Sequence, residues 1–154
     1  MAYLRVWIHL VWSTKYRDPL ISSPELRRKL FAHIVQNAAQ KGIYLDCVNG
    51  SCDHVHALVS VGPDQNIAKI AQLLKGESSH WFNKQNFTNR KFEWQNDYFA
   101  CSVSEFAVQR VRRYIANQEE HHRKHAFSEE YEKFMELHGL SEIVGTRAMG
   151  SNPN

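Results

Sequence analysis

Two short spacings in this chain assemble the parts for metal-assisted attack of a tyrosine on a phosphodiester. His54 and His56 flank Val55 in the run CDHVHALVS, and Tyr114 and Gln118 stand four apart in RRYIANQEEHH. Side chains on a β-strand repeat every two residues, so both imidazoles face one side while Val55 faces the other. Residues four apart on a helix also share a face. If that helix lies across the His face of the sheet, a divalent cation sits between His54, His56 and Gln118, with Tyr114 beside it. A phenol with an ordinary pKa of about 10 attacks poorly at neutral pH and needs such help. Two neutral imidazoles and an amide oxygen leave the cation's charge whole, and its open positions can accept a phosphate oxygen and the leaving 3′-oxygen. Attack by Tyr114 would give a 5′-phosphotyrosine and a free 3′-hydroxyl. The bond is kept in the covalent link, so another 3′-hydroxyl can reverse the step and join new strands. Magnesium is the abundant candidate metal. It prefers oxygen ligands, so manganese should also serve.

Neither pair is specific alone. An isolated His-x-His is most often a surface or core feature, and a helical tyrosine is normally core. Asp53 can orient an imidazole or simply end a turn. His9 can line the active face or be buried. His121, His122 and His125 read as exposed histidines near a helix end rather than as a second metal site. The combination gains weight from the elements that carry it.

Residues 3–12, YLRVWIHLVW, are aromatic and β-branched and read as a first strand. Ser23-Pro24-Glu25 starts a helix, with Ser23 as N-cap and Pro24 at the first helical position. Leu26, Leu30, Ile34 and Val35 carry it to about Lys41, and Gly42 stops it. Ile43–Val48 and Val55–Val61 are two more strands, with Asn49-Gly50 as the hairpin turn between them. A second helix runs from about Gln65 to Asn83. A fourth strand covers Tyr98–Val103, and a third helix Glu105 to about His122, with Phe106, Val108, Val111 and Ile115 apolar. The order β-α-β-β-α-β-α makes this an α+β chain. Its first six elements match the split βαβ, ferredoxin-like arrangement: an antiparallel sheet with two helices on one face. The third helix can cover the other face, which is where His54 and His56 would point. A short helix over residues 126–138 and a disordered tail follow. The catalytic domain is expected over residues 1–140 and the tail over 141–154.

At 154 residues, with 43% hydrophobic and 23% charged, the chain is most simply one globular domain. No apolar run approaches a membrane span of ~20 residues and no signal-peptide pattern is present, so a cytoplasmic protein is expected. Cys47, Cys52 and Cys101 lack metal-finger spacing and read as reduced thiols. The net charge of +3 and pI of about 8.8 permit a nucleic-acid partner. Lys15, Arg17, Lys75, Arg110, Arg112, Arg113 and Arg123 are candidates for phosphate contact. Trp12, Tyr16, Trp81 and Trp94 either stack on unpaired bases or belong to the core.

The chain resembles the single-strand-specific transposases of IS-two-hundred-like insertion sequences, members of the HUH nuclease superfamily with one catalytic tyrosine. The resemblance covers roughly residues 3 to 125. It rests on HLVWSTKYR, His54-Val55-His56, LLKGESS, WQNDYFACSVS and YIANQ, in that order. It implies a ferredoxin-like fold, a homodimer, a divalent metal held by the two histidines and the glutamine, and a phosphotyrosine intermediate on Tyr114. It also implies single-stranded DNA as partner, in hairpin-forming element ends, and a dimer in which one chain's third helix can serve the other's metal site. A short Ser104-Glu105 link would act as hinge, or would be a tight turn. Two other readings stand beside it: a non-catalytic ferredoxin-like nucleic-acid-binding protein with an aromatic sheet face, and a zinc hydrolase using His54, His56 and a third ligand.

Overall fold

The computed structural model describes residues 2–118 and 136–138. Residues 1–118 form one compact unit and 119–154 a second. The expected short helix, the tail, Arg123 and the histidines at 121, 122 and 125 therefore fall outside the described residues, save for residues 136–138.

The first unit runs β1 (Trp7–Ser13), α1 (Pro24–Gln40), β2 (Tyr44–Gly50), β3 (His54–Ser60), α2 (Ile67–Gln85), β4 (Phe99–Val103) and α3 (Val108–Ala116). The four strands form one antiparallel sheet in the order β2-β3-β1-β4. That order is the ferredoxin-like one expected from the sequence. Ser23 caps α1 by accepting from the Leu26 amide, and Pro24 opens the helix. Such a cap contributes about 1 kcal/mol. Gly42 ends the same turn at φ +70°, a conformation a β-carbon disfavours. Asn66 caps α2 through Lys69 N.

The core lies between the sheet and the layer of α1 and α2. Ile8, Leu10 and Trp12 of β1 and Val55, Ala57 and Val59 of β3 pack there with Leu30 and Ile34 of α1 and Ile70 and Leu74 of α2. The intervening strand residues point the other way, as a period of two requires. On β1 these include His9 and Ser13, and on β3 His54, His56 and Leu58, paired across the strands as His9 with Leu58 and Ser13 with His54.

Four local expectations change. The first strand starts at Trp7, and Tyr3 is 90% exposed. Asn49 and Gly50 are not the turn: they pair with His56 and Val55, and the chain reverses through residues 51–53. A β-carbon on Gly50 would meet the His54 carbonyl oxygen at 2.1 Å, so this glycine serves a close backbone approach within the ladder. The third helix begins three residues later than expected, because Glu105–Ala107 form a 3-10 turn. Phe106, placed on the apolar face by helical periodicity, is consequently 99% exposed. The Ser104-Glu105 link is part of that tight turn, and the Glu105 carboxylate accepts from Arg5 Nη1 at 2.7 Å and Trp7 Nε1 at 2.9 Å.

Candidate active site

α3 lies across the face of the sheet that β1 and β3 turn away from the core. Val108, Val111 and Ile115, spaced three and four apart, are its buried stripe. Burying each such side chain contributes about 1.5–3 kcal/mol. Polar contacts fix the helix further. An extra residue in β2 shifts the register between Leu45 and Cys47. At this bulge the Asp46 carboxylate accepts from Arg112 Nε and Nη2, both at 2.8 Å. At the other end of α3, Asn49 Nδ2 donates to the carbonyls of Ile115 at 3.0 Å and Ala116 at 3.3 Å, which satisfies acceptors that a helix end leaves over.

This docking brings Tyr114, Gln118, His54, His56 and His9 into one buried cluster. His9, His54, His56 and Gln118 are each at most 3% exposed, and Tyr114 is 9% exposed. The Tyr114 ring centroid is 5.5 Å from that of His56 and 6.1 Å from that of His9. His9 Nε2 and His56 Nδ1 are 2.9 Å apart, so His9 lines the active face and orients the second imidazole of the pair. Nothing in the sequence around His9 announces this partnership. It follows only from the β1–β3 register.

Ser51 and Asp53, from the turn before β3, hold the other imidazole. His54 Nδ1 is 2.8 Å from Asp53 Oδ1 and 2.9 Å from Ser51 Oγ. Arg17 Nη2 reaches the second Asp53 oxygen at 3.2 Å. Burial works to raise the Asp53 carboxyl, but the hydrogen bond and charge of His54, and then Arg17, outweigh it, and the carboxyl lies below its ordinary value. Asp53 thus acts as an ionised acceptor for the Nδ1 proton. With Nδ1 bonded on that side, Nε2 is the ring nitrogen turned toward Gln118. It faces Gln118 Oε1 at 3.3 Å. The Gln118 amide nitrogen donates back to the Tyr114 carbonyl at 3.4 Å, which turns its oxygen toward His54. At that distance the pair makes a hydrogen bond when Nε2 carries a proton, and offers two lone pairs to a cation when it does not. Among the described residues no three His, Cys, Asp or Glu side chains converge in metal-ligand fashion. A cation held by His54 and His56 would need a third ligand of another kind, and the Gln118 oxygen has the right chemistry for a hard or borderline divalent ion.

The candidate DNA-contact residues separate. Arg110 and Arg113 lie on the exposed side of α3, while Arg112 is taken up by Asp46. Arg17 is taken up by Asp53. Lys75 is buried, its ammonium donating to the carbonyls of Asn96 at 2.9 Å and Asp97 at 3.0 Å; burial draws its pKa below the ordinary lysine value, with Asp97 opposing. Lys15 pairs loosely with Glu93 at 3.5 Å. Of the four aromatic candidates, Trp12 and Trp94 are core, and Trp81 stacks on His33 at 4.1 Å. Tyr16 is 80% exposed and sits at φ +59°, with Arg17 next to it at φ +56°. Two consecutive non-glycine residues in the left-handed region store strain beside Asp53.

The sequence profile of the family described as "Transposase IS200 like" matches residues 2–118. The ISDra2 transposase TnpA of Deinococcus radiodurans is 30% identical over 115 residues, which is 71% of this chain and 81% of the relative. A crystal structure of a protein assigned as a transposase from Deinococcus radiodurans R1 superposes with a TM-score of 0.59 at 27% identity, covering 77% of this chain and 95% of that one. A REP-associated tyrosine transposase bound to a REP hairpin shares the fold, with a TM-score of 0.50 at 12% identity over 77% of this chain and 67% of that one. The chain belongs to the family of IS200-like transposases.

Proposed function

We propose that this transposase cleaves and rejoins single-stranded DNA at insertion-sequence ends through a 5′-phosphotyrosine on Tyr114. The observation that carries this reading is the convergence of Tyr114, Gln118, His54 and His56 in one buried cluster, with His54 Nε2 3.3 Å from Gln118 Oε1. His54, His56 and Gln118 would hold a divalent cation, magnesium or manganese. When bound, the cation supplies charge that stabilises the pentavalent phosphate and the departing 3′-oxygen.

The chain's own residues do the rest. Asp53 and Ser51 fix the tautomer and the plane of His54, and His9 fixes His56. α3, held by Asp46 and Asn49, presents the Tyr114 phenol to the phosphodiester. The phenolic oxygen forms a bond to phosphorus as the P–O3′ bond breaks. The phenol's proton is balanced by the one that the leaving 3′-oxygen ends with as a hydroxyl. A second 3′-hydroxyl attacking the phosphotyrosine runs the same step backward and joins strands, with no nucleotide cofactor. The homodimer implied by the family is part of this reading.

A non-catalytic nucleic-acid-binding role would need aromatic rings on an open sheet face. Here that face is covered by α3, with Val111, Tyr114 and Ile115 buried against it. The test is to incubate the protein with end-labelled single-stranded DNA from the ends of its element and magnesium, then run a denaturing gel. A labelled band at the mass of protein plus DNA is expected. Its absence while the same DNA is bound, or cleavage with both products free, would point to a binder or a hydrolase instead.

A further inference from the structure

The corner that follows β1 is strained in its backbone, and its geometry ends on the histidine pair. Tyr16 sits at φ +59° and Arg17 at φ +56°, both in the left-handed region that glycine enters without a steric cost. Packing does not force Tyr16 there, because its ring is 80% exposed. Hydrogen bonds pin the turn instead. Thr14 N donates to the Asp53 carbonyl at 2.8 Å and Arg17 N to the Thr14 carbonyl at 3.0 Å. The buried Thr14 hydroxyl donates to the Asp18 carbonyl at 2.6 Å, which ties the two ends of the turn together. The Arg17 side chain is thereby returned to Asp53, the residue on which the turn is anchored, and Nη2 meets Oδ2 at 3.2 Å.

Asp53 carries this contact inward. Its other oxygen, Oδ1, is 2.8 Å from His54 Nδ1 and accepts from Ser51 Oγ at 3.3 Å. With both oxygens engaged, the carboxylate is held in one orientation, and so is the imidazole that shares Oδ1. Side-chain exposure falls along the series, from 32% at Arg17 to 13% at Asp53 and 3% at His54. The outermost member is the one that can be removed without opening a buried cavity.

Stability does not explain the arrangement. An ion pair with one partner a third exposed adds little to folding. Two consecutive non-glycine residues in the left-handed region cost stability, and such strain persists where it fixes a functional geometry. The type and neighbourhood of Arg17 in the sequence suggest a phosphate contact, but its guanidinium is turned to a carboxylate of its own chain.

We infer that Arg17 is a positioning residue for His54. Acting through Asp53, it holds the ring in the orientation that turns Nε2 toward Gln118 Oε1, and the left-handed turn at Tyr16 and Arg17 delivers it. The inference deepens the proposed cleavage site and rests on that reading for the cation that His54 would hold.

Glycine substitutions separate this role from folding. Arg17→Gly relieves the turn and removes the guanidinium, so its Tm should stay near the parent's. Tyr16→Gly relieves the same turn and keeps the guanidinium. In the metal-free full-length protein, the ring signals of His54 in a nitrogen–proton correlation spectrum are identified by their loss in His54→Gln. They should shift and broaden in Arg17→Gly and stay in place in Tyr16→Gly. By calorimetry, manganese affinity should fall about tenfold in Arg17→Gly, the low end of what losing a partner behind a metal-ligating histidine costs, and should hold in Tyr16→Gly. In an Asp53→Asn background, Arg17→Gly should cost no further affinity, because its route to His54 is gone. Unmoved His54 signals in a folded Arg17→Gly overturn the inference, as does the same fall in affinity with and without Asp53. Equal effects of Arg17→Gly and Tyr16→Gly also overturn it, since the turn and not the guanidinium would then matter. If Arg17→Gly loses Tm, Arg17→Gln, which keeps the stem and loses the charge, is read by the same outcomes. A parent that binds no manganese while its His54 signals move in Arg17→Gly removes the metal reading and leaves the role of Arg17. A parent that binds manganese while those signals stay in place removes the role of Arg17 alone.

Discussion

At the scale of residues, each of the three proposed metal ligands is held by a neighbouring group. His54 has Asp53 and Ser51, His56 has His9, and Gln118 has the Tyr114 carbonyl. Removing an imidazole should therefore cost more than removing the amide. By calorimetry, His54→Ala and His56→Ala should each lose manganese binding, whereas Gln118→Ala should weaken it and regain cleavage in excess manganese; wild-type metal affinity in all three would show that no such site exists. The cysteines play a different part. Burial, followed by the charge and hydrogen bond of Asp46, pushes the Cys47 thiol up to about 12. The thiol is therefore held in its unreactive protonated form at neutral pH. Iodoacetamide should label it slowly in the folded protein and rapidly in urea, as read by peptide mass, and equal rates would contradict the raised pKa of this half-buried thiol. The pairing of His54 with His56 was legible because a strand's period of two admits no other arrangement once β3 is assigned. The role of His9 was not, since it depends on which β1 residue falls beside His56.

At the scale of elements, the order of strands and helices could be read from periodicity, capping and breakers. Ser23-Pro24 and Gly42 bracket α1 as expected. Asn49-Gly50 misled because the same dipeptide serves two purposes. It is a good turn, but here Gly50 is required by the approach of the His54 carbonyl and Asn49 by the end of α3. Long-range contacts overrode local turn chemistry. The bulge at Asp46 and the 3-10 turn at Glu105–Ala107 leave no comparable local signal, since each is set by what the side chains reach across the fold. Lys75 shows the same limit: a lysine in a helix reads as a surface cation, whereas its ammonium ties α2 to the segment before β4. Lys75→Met keeps the aliphatic stem and loses both hydrogen bonds. It should destabilise the protein by about 1–3 kcal/mol in urea unfolding, and an unchanged midpoint would show that the tie carries no weight.

At the scale of the whole molecule, the first unit contains both halves of the site, with α3 docked on the sheet of its own chain. The homodimer of the proposed reading would allow another arrangement, in which α3 of one chain serves the histidines of its partner. The contacts that would have to exchange are the buried stripe of Val108, Val111 and Ile115 and the polar pairs Arg112 with Asp46 and Asn49 with the carbonyls of Ile115 and Ala116. Co-expressed heterodimers of Tyr114→Phe with His54→Ala/His56→Ala should regain cleavage, because one mixed site has an intact tyrosine and an intact histidine pair. Fully inactive heterodimers, beside active wild-type ones prepared with the same two tags, would place both halves in one chain. Among the described residues no helix is long and apolar enough to cross a membrane.

The central claim is that Tyr114 is the nucleophile. The most direct measurement digests the covalent protein–DNA product with protease and nuclease and maps the nucleotide-bearing peptide by mass spectrometry. The nucleotide should be found on Tyr114 through a 5′-phosphate, and Tyr114→Phe should form no adduct while binding the same DNA nearly as well as wild type. An adduct on any other residue, or cleavage by Tyr114→Phe near the wild-type rate, would contradict the account.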